Sequence, residues 1–167
     1  SLNDAKNFIS FDVKPEINDT EKIPTIYTDG SCMNERGGYG VILTNFPVNG
    51  EFYDVLPEHP TTNNRAELYA IYAALYHLHH NLNFTDNVVL YTYSMYSLKS
   101  ITVWSKQWVE NDWKTSSGGS VKNRDLIATI LELMGKVNVT IKHVKGHCGN
   151  ELNERVDELA KKAVMEL

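Results

Sequence analysis

The chain is poor in the features that mark several protein classes. It has 2 cysteines, Cys32 and Cys148, too few for a disulfide framework or a four-ligand zinc site. A reduced intracellular setting is the simple expectation, with cytoplasm, nucleus and mitochondrion not told apart. No apolar run approaches the roughly 18 residues that a membrane-spanning helix needs, so no membrane role is expected. The N-terminal stretch lacks the basic and apolar regions of a secretory signal. Nor is there a basic excess. In 167 residues, 16 Lys plus Arg stand against 21 Asp plus Glu, a net charge of −5, so a nucleic-acid partner has to be argued from local patches. Internal repeats and low-complexity tracts are missing as well. What is there, 42% hydrophobic and 22% charged residues, suits a folded domain rather than a disordered chain.

Residues 1–22 are polar, carry no sustained period and read as a flexible tail or linker, leaving 23–167 for one domain. Residues 24–28 read as a short buried strand stopped by Asp29-Gly30-Ser31, a turn signal, with Gly37-Gly38 closing the turn region. Strands follow at 39–44 and 51–56, so the first three form an antiparallel meander. The period then changes. Leu68, Ile71, Tyr72, Leu75 and Leu78 fall at helical spacing, helped by Ala66, Ala70, Ala73 and Ala74. Residues 88–91 are an apolar strand, 94–108 hold one or two short helices, and 111–120 have loop chemistry. Leu126, Ile127, Ile130, Leu131 and Met134 mark a helix capped by Gly135. Val137, Val139 and Ile141 alternate as a fifth strand, and Leu152, Val156, Leu159, Ala160 and Ala163 mark a closing helix after a loop at 145–150. The order βββ-α-β-α-β-α implies an α/β fold with a mixed sheet: strands one to three antiparallel, the later ones reached by helical crossovers and parallel to the first.

In such a sheet, ligands sit beyond the carboxyl ends of the parallel strands. Asp29 ends the first strand, Tyr93-Ser94 ends the fourth, Glu67 opens the first long helix, His147 lies after the fifth strand and Asp157 in the last helix. Gathered carboxylates repel unless a hard cation holds them, and two Mg²⁺ ions about 4 Å apart can activate a water against a phosphodiester. Each residue also has a plainer role. Asp29 suits a turn, Glu67 a capping box begun by Asn64, Asp157 an exposed helix pair with Lys161, and His147 a loop hydrogen bond. Cys32 and Cys148 read as small fillers without an adjacent base.

Order and spacing say more than any one residue. Tyr27-Thr28-Asp29-Gly30-Ser31, then Thr62-Asn63-Asn64-Arg65-Ala66-Glu67-Leu68, then Lys145-Gly146-His147-Cys148-Gly149-Asn150-Glu151-Leu152-Asn153 with Asp157 resemble the motifs of ribonuclease H type 1. Trp104, Trp108, Trp113-Lys114-Thr115-Ser116 and Asn123 are similar to the basic protrusion and DNA-strand contacts of its cellular members rather than to a domain cut from a reverse transcriptase. The resemblance implies a five-stranded mixed sheet with helices on both faces, and hydrolysis of the RNA strand of RNA–DNA hybrids with two Mg²⁺ ions, or Mn²⁺ in their place. It further implies a monomeric domain, alone or within a longer chain, with no small-molecule cofactor. Asp29, Glu67 and Asp157 match three of the family's four metal-binding carboxylates, and His147 its loop histidine. Asn63, Asn64 and Cys32 fall where the family meets the hybrid, including RNA 2′-hydroxyls, the group that distinguishes RNA from DNA. Tyr96, Trp108 and Ser116 match the DNA-strand channel. Thr62 and Asn123 match part of a DNA-phosphate pocket in which Pro60 replaces an arginine of some relatives. Lys136, Lys142 and Lys145, and Lys99, Lys106, Lys114 and Lys122, supply local positive charge.

One departure stands out. Where the family has Thr-Asp-Ser with a metal-binding aspartate, this chain has Thr92-Tyr93-Ser94. A phenol is protonated near neutral pH and is a poor Mg²⁺ ligand. Three readings follow: a nuclease whose activity Tyr93 abolishes or reduces, a non-catalytic hybrid-binding module, or an active nuclease whose missing ligand comes from water or another carboxylate. Asp86, upstream in a loop, is no obvious substitute.

Overall fold

The computed structural model describes residues 8–10, 23–144 and 151–167. Its sheet has the order β1-β4-β3-β2-β5-β6. The strands are β1 (Ile9–Ser10), β2 (Thr25–Met33), β3 (Arg36–Thr44), β4 (Gly50–Val55), β5 (Val88–Thr92) and β6 (Val139–His143). β2, β3 and β4 are antiparallel, while β5 runs parallel to β2 and β6 parallel to β5. These are the five expected strands in the expected mixed arrangement. The two residues of β1 add an antiparallel edge to β4, a pairing that the reading of 1–22 as a tail did not foresee.

Helices cover both faces. On one lie α1 (Asn63–Tyr76), which continues as a wider turn through His77–Asn81, and α4 (Arg124–Met134). Alanines at 66, 70, 73 and 74 leave α1 a thin face, so Leu68, Ile71 and Leu75 bury completely against Ile26, Val41, Leu43 and Leu90. α2 (Met95–Lys99), a wider turn at Ser100–Trp104 and α3 (Ser105–Glu110) form one continuous helical run where one or two short helices were expected. On the opposite face lies α5 (Glu151–Met165), its Val156 and Leu159 buried on Ile42.

Two local readings change. Asp29-Gly30-Ser31 is not a turn: β2 runs on to Met33, and the hairpin closes at Asn34 and Glu35, with φ of 52° and 64°. Positive φ at both central residues matches the strand twist of a two-residue hairpin. Gly37-Gly38 therefore lies within β3, and Gly38 and Gly40 form a strip on which α5 rests. A Cβ at Gly40 would lie 2.7 Å from the Leu159 Cβ, and one at Gly38 2.6 Å from the Ala160 carbonyl oxygen. Nor is Asn64 an N-cap with Glu67 as its box partner. Thr62 caps α1 by accepting from the Arg65 amide at 3.2 Å, which frees Glu67 for another role.

Candidate active site

Alternation along the strands decides what meets α5. Ile42, Tyr27 and Tyr91 lie opposite one another in register, and Ile42 and Tyr27 share the cluster beneath α5. Two residues on along the same face come Asp29 and Tyr93. Gly30 points the other way, and there α1 arrives: a Cβ at Gly30 would lie 2.2 Å from the Ala66 carbonyl carbon. Only a residue without a side chain admits the first turn of α1 so close to β2. That approach brings Glu67 over the strand, where it accepts a hydrogen bond from the Gly30 amide. Asp29 accepts from the same amide at 3.0 Å.

Three of the expected carboxylates therefore converge. The Asp29 carboxyl interacts with both Glu67 and Asp157. Burial, and after it the charge of Glu67 and then Asp157, push the Asp29 carboxyl far above the usual carboxylate range. Burial also raises Glu67, against the hydrogen bonds from Asp29 and the Gly30 amide, which favour its charged form. Asp157 bonds to Lys161 at 2.9 Å, so the plain helix pair and the clustered role hold together.

Tyr93 sits beside them. Its ring packs with Tyr27 and Leu152 against Ile42, Val156 and Leu159. Burial raises its phenol pKa, as do the charges of Asp29, Asp157, Glu154 and Glu67 in that order. The backbone at this point is firmly held. His143 Nε2–H donates to the Tyr93 carbonyl at 3.0 Å, and the Ser94 amide donates to Thr92 Oγ1 at 3.1 Å. Tyr93 is thus a phenol at the corner of a carboxylate cluster. Among the described residues no three of His, Cys, Asp and Glu are arranged to close on a single ion. The donor set of Asp29, Glu67 and Asp157 still suits one: hard carboxylate oxygens whose crowded charge a divalent cation would offset. It does not offer the fourth carboxylate of a paired-ion site.

The positions expected to meet nucleic acid fall in two groups. Near β2, Asn63 Oδ1 accepts from the Cys32 amide at 2.9 Å, and the Cys32 thiol lies 3.5 Å from the Thr61 carbonyl oxygen, while Asn64 is exposed on α1. Farther along, Asn123 Nδ2 donates to the Tyr96 hydroxyl at 3.1 Å. The rings of Tyr96, Trp104, Trp108 and Trp113 follow one another at 6.1, 5.9 and 6.4 Å. Ser116 is exposed in the loop beyond. Lys136 pairs with Glu132 at 3.6 Å. His147, Cys148 and Lys145 lie outside the described residues.

Sequence reasoning missed Arg65. It binds Glu58 and, through its two terminal nitrogens, Asp125 at 3.0 and 2.6 Å, and it reaches Asn123 Oδ1 at 3.3 Å. Its side chain is 17% exposed. A basic residue at the third position of a helix, where the macrodipole disfavours it, was the available signal. His143 was missed too, and as the last residue of an edge strand it gave no signal.

With the site in place, comparison with known proteins is decisive. The sequence model of the RNase H family matches residues 21–165. The chain belongs to the RNase H family. Ribonuclease H of Francisella tularensis subsp. novicida is 43% identical over 143 residues, covering 84% of this chain and 90% of that protein. Among solved structures, LC9-RNase H1, a type 1 RNase H with the type 2 active-site motif, superposes with a TM-score of 0.73 at 27% identity, covering 86% of this chain and 72% of that one. LC11-RNase H1, solved in complex with an RNA/DNA hybrid, shares the fold with a TM-score of 0.62 at 24% identity, covering 86% and 97%.

Proposed function

We propose that this RNase H chain recognises RNA–DNA hybrids as an endoribonuclease of the RNA strand, and that Tyr93 abolishes or strongly reduces its cutting. The convergence of Asp29, Glu67 and Asp157 beside Tyr93 is the observation that carries this reading. A hybrid bound to the related LC11-RNase H1 supports the substrate class.

Asp29, Glu67 and Asp157 would hold Mg²⁺ or Mn²⁺, and the bound metal supplies an activated water and stabilisation of the leaving oxygen. The chain's own residues do the rest. Gly30 and Thr62 fix α1 so that Glu67 reaches Asp29. Asn63 and Asn64 lie where RNA 2′-hydroxyls are read, and Tyr96, Trp108, Ser116, Thr62 and Asn123 line the path of the DNA strand. Tyr93 withholds a charged oxygen at the strand end and fills space there with a ring. In-line attack tolerates little displacement, so the rate falls by orders of magnitude. His147 is assigned to proton transfer or product release.

The same observation supports a second reading, a hybrid-binding module that does not cut, because groove and phosphate contacts need no complete metal cluster. One experiment separates the two. The chain is incubated with labelled hybrid and Mg²⁺ or Mn²⁺ beside Tyr93→Asp. Restored cutting of the RNA strand by Tyr93→Asp, lost again on Asp29→Asn, supports the nuclease. A Tyr93→Asp chain that folds and binds hybrid without cutting supports the module, and equal cutting by both chains overturns the role given to Tyr93.

A further inference from the structure

α5 carries Asp157 and lies on an unusually smooth part of the sheet. Beneath the stretch from Val156 to Val164 the β3 positions facing it are Gly38 and Gly40, which offer no side chains for the helix to interlock with. Val156 is fully buried, and its two neighbours flank the buried stripe: Asp157 toward β2, Arg155 toward β4. Successive residues on a helix are about 100° apart, so these two side chains leave on opposite flanks, and any roll of α5 that lifts one lowers the other.

The Arg155 flank is anchored. Glu51 lies opposite Ile42 in β4, hence on the face beneath α5, and its side chain is 12% exposed. Arg155 Nε lies 3.3 and 3.2 Å from the two Glu51 oxygens, and another guanidinium nitrogen lies 2.9 Å from Oε2. A forked, two-point contact to a half-enclosed carboxylate fixes direction as well as distance. Among the described residues the other flank has no comparable anchor. Lys161 belongs to α5 itself, and the Asp29 contact sets carboxyl against carboxyl. At the far end, Tyr53 hydrogen-bonds to Glu166 at 3.0 Å. That contact holds the last turn, about two and a half turns beyond Asp157.

We propose that Glu51 and Arg155 are positioning residues that set the roll of α5 and thereby hold the Asp157 carboxylate against Asp29 for cation binding. This rests on the reading of Asp157 as a metal-binding carboxylate. The test is titration of the whole chain with Mn²⁺ by calorimetry, with melting temperature measured in parallel. Glu51→Gln keeps the size of the side chain and removes the charge. It is expected to weaken Mn²⁺ binding about tenfold, the lower end of the effect seen when groups supporting a metal ligand are lost. Tyr53→Phe, which loosens only the far end of the helix, is expected to leave Mn²⁺ affinity unchanged even if the melting temperature falls. Arg155→Lys keeps the charge without the fork and is expected to give an intermediate loss, and it carries the test should Glu51→Gln not fold. Unchanged affinity in Glu51→Gln and Arg155→Lys, with Asp157→Asn weakening it, overturns the positioning role alone. Unchanged affinity in Asp157→Asn overturns the ligand assignment and the proposal with it.

Discussion

The Asn123 side-chain amide donates to the Tyr96 hydroxyl at 3.1 Å, joining the start of α4 to α2 across what the family resemblance marks as the DNA-strand side. Asn123 also has a φ of 62°, a left-handed conformation that asparagine tolerates better than most residues. Its two roles can be separated. Asn123→Gly keeps the backbone and loses the hydrogen bonds, at an expected cost of about 1 kcal/mol. Asn123→Ala adds the strain of a Cβ at positive φ and is expected to cost about 1 kcal/mol more. Urea unfolding of both variants checks this, and an alanine variant no less stable than the glycine variant refutes it.

Gly30→Ala places a methyl group on the Ala66 backbone, where no flexible side chain can move aside. Overpacking against main chain is expected to cost about 3 kcal/mol and to push α1 off β2, parting Glu67 from Asp29. Chemical denaturation gives the first quantity. Loss of Mn²⁺ affinity in whatever fraction stays folded gives the second.

His77 confers a pH dependence of its own. It is 5% exposed, accepts from Asn81 at Nδ1 and packs on Phe8 and Phe52, and its Nε2 has no partner among the described residues. Burial pushes its pKa down to about 4 from 6.5. The unfolded chain therefore binds a proton that the folded chain refuses between these values. The stability from neutral His77 is complete above pH 6.5 and is lost as pH falls toward 4, by on the order of 3 kcal/mol. His77→Phe is expected to flatten the stability profile in that window, measured by urea unfolding at a series of pH values. An unaltered slope would assign the acid sensitivity to other groups.

Hybrid binding should weaken with salt as counterions are released, and should exceed binding to a DNA duplex at matched salt. Trp108→Ala is expected to cost about 1–3 kcal/mol of hybrid affinity if its ring stacks on the DNA strand. Fluorescence anisotropy measures both. Equal affinity for hybrid and duplex would remove the basis for assigning Asn63 and Asn64 to 2′-hydroxyls, and an unchanged Trp108→Ala would make that ring a packing residue.

Element type and order were readable because the periods are strong: Leu68, Ile71 and Leu75 at helical spacing, and Val137, Val139 and Ile141 at strand spacing. The turn was misplaced because Asp-Gly is a good local turn signal, and tertiary packing overrode it. Gly30 serves the close approach of α1, a contact with a segment more than 30 residues away that no local window contains. The plainer capping role for Glu67 fails for the same reason, its partner being the Gly30 amide. The carboxylate cluster was legible from motif order, whereas the Arg65 and Glu51–Arg155 contacts depend on the side-chain geometry of separate elements and left almost no trace in the sequence.

The Gly30 amide, shared by Asp29 and Glu67, makes the site observable without any reaction. An amide proton between two carboxylates is deshielded according to their charge, and its exchange with solvent slows according to how firmly they hold it. Cation binding to those carboxylates would shift one glycine resonance in an NMR spectrum. A chain that no longer cuts can thus still report, through that one signal, whether its carboxylates respond to metal.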